Sequence, residues 1–159
     1  MAMAKQKQLI KQICEKLRTD SGSADALVTL TNHRADRVRI GRHLQPRKDH
    51  TPYLGVEISS SIPMNNQVTC MQKARVHFHA HARSELTAFD IADRIETLLD
   101  NESGAPQAYY DFSGSGFGEV RVADSRLKER NAPEFNGKTE VWTIIIEADL
   151  IWSTQPCAL

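Results

Sequence analysis

The sequence lacks the long apolar run that a membrane-spanning helix requires. Hydrophobic residues make up 40% of the 159 residues, but no uninterrupted apolar stretch approaches the roughly 20 residues that cross a bilayer. Three lysines lie in the first eleven residues, and no apolar segment of the kind found in secretory signal peptides follows them. We therefore expect a protein that is not secreted and does not bind membranes.

Cysteine is also scarce. The three cysteines, Cys14, Cys70 and Cys157, are widely spaced and form no C-x-x-C pair. An odd number at such spacing argues against both a disulfide framework and a zinc knuckle. The pattern predicts reduced thiols, as is usual for a protein of the cytosol.

Neither sign of charge is in excess. Lys and Arg together number 20, as do Asp and Glu, so the formal net charge is zero. A chain without a net field has no general attraction for nucleic acid or for an anionic surface. Its length suits one domain, and its composition is that of a globular protein. We expect a single domain over residues 1–159.

Several elements follow from hydrophobic periodicity. Residues 5–18 show helical spacing of apolar positions, and residues 26–30 fit either a strand or a helical turn. Residues 53–58 alternate as a strand, with a turn or hairpin connection at 59–66. Residues 74–82 alternate strongly, residues 86–99 carry one apolar stripe, and residues 138–152 form a long strand. This order predicts an α/β protein of the α+β type. Its mixed, mainly antiparallel sheet is packed by the N-terminal and central helices, with long loops near 32–50 and 124–137.

A row of histidines is the most conspicuous chemical feature. His77, His79 and His81 alternate along one predicted strand and so point to one face. Zinc binds neutral imidazoles, and a metal-dependent enzyme using this row is therefore an alternative function. However, Arg75 and Arg83 on the same face oppose a cation. Residues two apart lie about 6.6 Å apart along a strand, so three rings rarely converge. With no further ligand identifiable, we predict an exposed polar face and no metal site.

A basic segment precedes the first long strand. Its cations are Arg34, Arg37, Arg39, Arg42, Arg47 and Lys48. Such a patch can contact phosphates without sequence preference, or it can face an acidic surface of another subunit. It lacks the interleaved aromatics that stack bases. A protein contact or a loose contact with a nucleic-acid backbone is therefore ranked above specific nucleic-acid recognition, and a solvated loop without a partner is left open. A weak nucleic-acid-binding module is kept as a second alternative.

No motif supports catalysis or a cofactor. The glycine-rich run 113–118 does not end in the lysine and the serine or threonine that end a phosphate-binding loop. Glu147 and Asp149 share one face of the last strand, where we expect them to meet basic side chains across a strand or a subunit boundary. We predict no catalytic residue and no cofactor.

The order of elements resembles that of the tail-terminator (tail completion) proteins of tailed bacteriophages. The resemblance is carried by the strand Ala74-Arg75-Val76-His77-Phe78 leading into the helix 86–99, and by the closing Ala148-Asp149-Leu150-Ile151-Trp152. It implies a homohexameric ring, without cofactor or catalytic residue, that caps the tail tube and ends its elongation. Its implied partners are further copies of the chain, the tail tube protein and a head-completion (neck) protein, with a possible passing contact with DNA in the lumen.

The resemblance also implies a location and a kind of interface. The ring would be assembled in the bacterial cytoplasm and lie at the head-proximal end of the tail in the virion. We expect opposite charges to meet between subunits. The expected cations are the basic segment with Arg75, His77, His79 and Arg83, and the expected acids are Glu96, Asp100, Glu147 and Asp149.

Overall fold

The computed structural model describes residues 2–32, 37–41, 49, 51–63, 71–99 and 120–154. Within these ranges the chain forms three helices and six strands. In chain order they are α1 (Ala2–Leu17), α2 (Leu27–Leu30), β1 (Val38–Ile40), β2 (Tyr53–Pro63), β3 (Met71–Ala82), α3 (Glu85–Leu99), β4 (Val120–Arg130), β5 (Glu134–Asn136) and β6 (Val141–Thr154). None of the described helices is both long and apolar enough to cross a membrane.

The strands form one open sheet in the order β1-β2-β3-β6-β4, with β5 also pairing with β6. Strand β1 is parallel to β2, whereas the β2–β3, β3–β6, β4–β6 and β5–β6 pairs are antiparallel. The predicted fold class, a mixed and mainly antiparallel sheet packed by an N-terminal and a central helix, is confirmed. Residues 26–30, for which strand and helical turn were both open, contain the short helix α2.

The longest pairing joins the two strands with the clearest sequence patterns. Strands β3 and β6 are in register over twelve residue pairs, from Met71 opposite Ser153 to Ala82 opposite Trp142. Because side chains alternate along a strand, this register puts the apolar positions of both strands on one face. Phe78 lies opposite Ile146 there, and both are fully buried.

Helices α1 and α3 cover that apolar face. The buried positions of α3 are Ala88, Ile91, Ala92, Ile95, Leu98 and Leu99. Those of α1 include Leu9, Ile13, Cys14 and Leu17. Both stripes lie within the predicted helices. Burial raises the pKa of the Cys14 thiol to about 11, so this cysteine stays protonated and inert, as predicted for a reduced structural thiol.

An ion pair fixes the segment after α1 against α3. Arg94 donates from Nε to Asp20 Oδ2 at 2.9 Å and from Nη2 to Oδ1 at 2.7 Å. The same Asp20 Oδ2 accepts the backbone N–H of Leu27 at 2.8 Å, where α2 begins. Asp20 is only 7% exposed, and a bidentate, hydrogen-bonded arrangement of this kind compensates a buried carboxylate.

The predicted loop at 124–137 is wrong. Strand β4 runs to Arg130 and β5 occupies Glu134–Asn136, both paired with β6. Two register shifts in β4, between Val122 and Asp124 and between Leu127 and Glu129, break the period-two pattern that marks a strand in the sequence. Strand β4 is also rich in charged residues, a composition common in strands at the edge of a sheet.

The predicted loop at 32–50 is partly corrected. It contains β1, whose Val38 is fully buried and which extends the sheet beyond β2. A three-residue strand is too short to show periodicity. Residues 33–36, 42–48 and 50 of this segment lie outside the described part of the chain.

Substituting Gly55 tests the close approach of the chain to β2. A Cβ at Gly55 would lie 2.6 Å from the carbonyl oxygen of Gly41. The backbone N–H of Gly41 donates to the carbonyl oxygen of Val56. We expect Gly55→Ala to lower the free energy of unfolding by about 1–3 kcal/mol in urea titrations, because backbone must move to admit the methyl group.

Gly137→Ala is the matched control for this substitution. A Cβ at Gly137 would meet nothing within 4 Å, so we expect a change of no more than about 0.5 kcal/mol. Equal effects of the two substitutions would contradict the tight contact at Gly55.

Candidate functional site

The face of the sheet opposite the helices carries the histidine row together with Arg75, Glu147 and Asp149. We call it the outer face and define it by described residues of β2, β3 and β6. These are Tyr53, Glu57, Arg75, His77, His79, His81, Thr143, Glu147 and Asp149. Strand register brings them into rows across the three strands. Tyr53, His81 and Thr143 form one row, and Glu57, His77 and Glu147 form another.

Two of the histidines are buried rather than exposed. His79 is 3% exposed and His81 is 2% exposed, which corrects the predicted solvent-facing row. Strand β3 has β2 on one side and β6 on the other, so neighbours flank its side chains. The Tyr53 ring lies 4.5 Å from that of His81, and the rings of His79 and His81 are stacked at 6.1 Å. His77 is partly accessible, and Arg83 is exposed.

The outer face pairs its acids with bases inside one chain. Arg75 Nε lies 2.9 Å from Glu147 Oε1 and 3.2 Å from Asp149 Oδ1. Lys73 Nζ lies 3.3 Å from Asp149 Oδ2, and Lys128 of β4 lies 3.7 Å from the same atom. The predicted basic partners of Glu147 and Asp149 are therefore confirmed, and they lie across neighbouring strands.

The pKa of Asp149 reflects two opposing effects. Burial raises it, but hydrogen bonds and charge attraction from Arg75 and Lys73 together outweigh burial and hold the pKa below its usual value. Asp149 is only 5% exposed. The carboxylate therefore stays ionised in the folded protein at neutral pH and balances the positive charges of Arg75 and Lys73.

Glu57, His77 and His79 form a compact group of possible metal ligands. Glu57 Oε1 lies 3.1 Å from His79 Nε2 and 3.4 Å from His77 Nδ1. One ligand atom from each residue lies within 4.8 Å of the others, and this is the one such group of three or more His, Cys, Asp or Glu among the described residues. His81 is not part of the group, because its Nδ1 shares a hydrogen bond of 2.8 Å with Thr143 Oγ1.

The alternative metal site made of the three alternating histidines His77, His79 and His81 is therefore not what the structure forms. Two of the rings converge with a carboxylate from β2, which sequence reasoning missed. Glu57 stands twenty positions before His77. Only the pairing of β2 with β3, which sets Glu57 opposite His77, brings them together. The alternating pattern around Glu57 predicts a strand. It does not show which residue of β3 lies opposite Glu57.

The basic segment is described at two of its six cations. Arg37 Nη1 donates to the carbonyl oxygen of Thr51 at 2.6 Å. The Arg39 guanidinium lies 5.8 Å from the centre of the Tyr53 ring. Both side chains thus contact their own chain. Arg34, Arg42, Arg47 and Lys48, like the glycine-rich run 113–118, lie outside the described residues.

Four large apolar side chains are exposed among the described residues. They are Ile40 in β1, Leu86 in α3, Leu127 in β4 and Phe135 in β5. Strand β1 forms one edge of the sheet, and β4 with β5 forms the opposite edge. Sequence patterns did not single them out. Ile40, Leu127 and Phe135 lie in segments that were predicted as loops, and Leu86 is the first residue of the predicted helix.

Comparison with known proteins identifies a shared fold and no family. No protein-family model matches the chain, and no curated protein matches it. The structure is similar to a chain in a solved structure titled "Virion of native gene transfer agent (GTA) particle", with a TM-score of 0.50 and 12% sequence identity. The match covers 87% of this chain and 90% of that chain.

Replacing Asp149 tests the charge network of the outer face. We expect Asp149→Asn to lower the free energy of unfolding at neutral pH by about 1–3 kcal/mol, because Arg75 and Lys73 lose their anionic partner. A carboxyl with a depressed folded pKa stabilises the protein above its unfolded pKa of about 4. Its contribution is lost as the pH falls through the lower folded value.

The difference in the free energy of unfolding between wild type and Asp149→Asn should therefore shrink as the pH falls below about 4. Urea unfolding across this pH range measures it. Asp90→Asn, at an exposed position of α3, is the control and should change stability by no more than about 0.5 kcal/mol. A difference that stays constant with pH would rule out charge pairing as the cause.

Proposed function

We propose that the chain is a structural protein of a phage-like particle and acts there as a tail terminator. The observation that carries the proposal is the fold similarity to a chain of a gene transfer agent virion, which extends over most of both chains. The order of strand β3, helix α3 and the closing strand β6, on which the resemblance to tail terminators was based, supports it from the sequence.

The proposed activity is assembly into a ring of identical subunits. One side of the ring caps the tail tube protein and ends its elongation. The other side offers a surface to the head-completion protein at the neck, and DNA passes through the lumen. Assembly takes place in the host cytoplasm, and the finished ring lies at the head-proximal end of the tail. No chemical step is part of this role.

A ring requires two different patches on each subunit, because a head-to-tail interface joins unlike surfaces. The two edges of the sheet provide such a pair. Ile40 is 52% exposed at the β1 edge, and Leu127 and Phe135 are 42% and 53% exposed at the opposite edge. Single exposed apolar residues are common, so the argument depends on their placement at opposite edges.

The charge contacts proposed between subunits need revision. Arg75, Glu147 and Asp149 neutralise one another within the chain, and His79 is buried. We therefore assign the cationic side of the interface to Arg83 and the basic segment, facing acids of the next subunit. These contacts would weaken as salt rises.

Sedimentation velocity of the full chain over a range of concentrations at low salt tests the proposal. We expect an assembly of about six subunits, since a rotationally closed ring has a fixed size. Ile40→Ser and Leu127→Ser should each shift the population toward monomer, because each removes apolar contact from one side of the interface.

Leu86→Ser is the matched control, since Leu86 is 75% exposed but lies on α3 rather than on an edge strand. It should leave the assembly intact, and circular dichroism should show all three variants folded. A wild-type protein that stays monomeric at every concentration would contradict the proposal. So would equal dissociation of the control.

A further inference from the structure

We propose that Glu57, His77 and His79 form a binding site for a divalent transition-metal ion, with Zn²⁺ as the ion that best suits these ligands. Two imidazole nitrogens and one carboxylate oxygen are a ligand set that zinc uses when a fourth position is left to water. This site is independent of the proposed role in a virion.

The distances between the ligand atoms fit a tetrahedral ion. Bonds of about 2.0–2.1 Å to nitrogen and oxygen place tetrahedral ligand atoms about 3.3–3.4 Å apart. Glu57 Oε1 lies 3.1 Å from His79 Nε2 and 3.4 Å from His77 Nδ1. One ligand atom from each residue lies within 4.8 Å of the others, so closing the group to tetrahedral spacing requires shifts of at most about 1.5 Å.

The three ligands stand on a rigid support with access to solvent. Glu57 lies on β2 directly opposite His77 on β3, and His79 follows on the same face of β3. The His79 ring is held between its neighbours and stacks on His81. Glu57 and His77 are each about a quarter exposed, which leaves a path for the ion and room for a water ligand.

The positive charges nearby do not prevent binding. Arg75 was expected to repel a cation, but it contacts the carboxylates of both Glu147 and Asp149, which offset its charge. Arg83 follows the end of β3, four residues beyond His79, which corresponds to about 13 Å for an extended chain. That exceeds the Debye length of about 8 Å at physiological ionic strength, so its exposed charge is largely screened from the site.

A second carboxylate lies behind one of the ligands. His77 would coordinate through Nδ1, and its Nε2 lies 3.8 Å from Glu147 Oε1. With Nδ1 bound to the ion, the proton of the neutral ring stands on Nε2, on the side of this carboxylate. Metal-bound histidines commonly have such a carboxylate behind them. In this arrangement a bound ion ties β2 to β3 and stabilises the folded state.

Isothermal titration calorimetry of the full chain with Zn²⁺, paired with thermal unfolding, tests the proposal. We expect one tightly bound ion per chain and a rise in melting temperature on zinc addition. Glu57→Ala and His77→Ala should each weaken binding by about 100-fold or more and abolish the thermal shift. Both positions are partly exposed, so circular dichroism should show the variants folded.

Two controls separate this site from other histidines and from cysteines. A variant with His33, His43 and His50 all changed to Gln should keep wild-type affinity. Co²⁺ in place of Zn²⁺ should give the strong visible bands of a tetrahedral site without a sulfur-to-metal charge-transfer band. No binding by wild type, unchanged binding by both site variants, loss of binding in the triple variant, or a sulfur band would each overturn the proposal.

Discussion

The antiparallel register between β3 and β6 is the constraint on which the rest of the structure depends. It extends over twelve residue pairs in the middle of the sheet, and it decides the environment of every side chain on both strands. A slip of one residue would turn Phe78 or Ile146 away from the helices and put charged side chains into the core. Since both strands carry apolar residues at alternate positions, the observed alignment puts both apolar sets under α1 and α3, and any slip by an odd number of residues would not.

The same register produces the chemistry of the outer face. It sets Arg75 opposite Asp149 and His77 opposite Glu147, so that acids and bases pair as a consequence of burying the core. Strand β2 then adds Glu57 beside His77. A surface that reads in the sequence as a cationic strip is in fact a network of paired acids and bases that also contains the group of Glu57, His77 and His79. We therefore place the contacts with other subunits at the two edges of the sheet and not on this face.

Local sequence patterns were enough to predict strand β3 and helix α3. The stripe at 86–99 predicted α3 to within one residue. The alternation at 74–82 predicted the end of β3, which begins three residues earlier, because each period matches its own secondary structure. Features set by contacts distant in sequence were not predictable. The charged strand β4 was missed because its bulges disrupt alternation. The burial of His79 and the approach of Glu57 depend on which strands lie beside β3, and no single segment contains that information.

Electron micrographs of the purified full chain test the central claim, that this protein works by assembling with copies of itself, most directly. Averaged images should show a closed ring of about six subunits around a central opening, because a head-to-tail contact between the two sheet edges closes by rotation. Images that show only single subunits or open filaments, at concentrations where the protein is folded, would contradict the account.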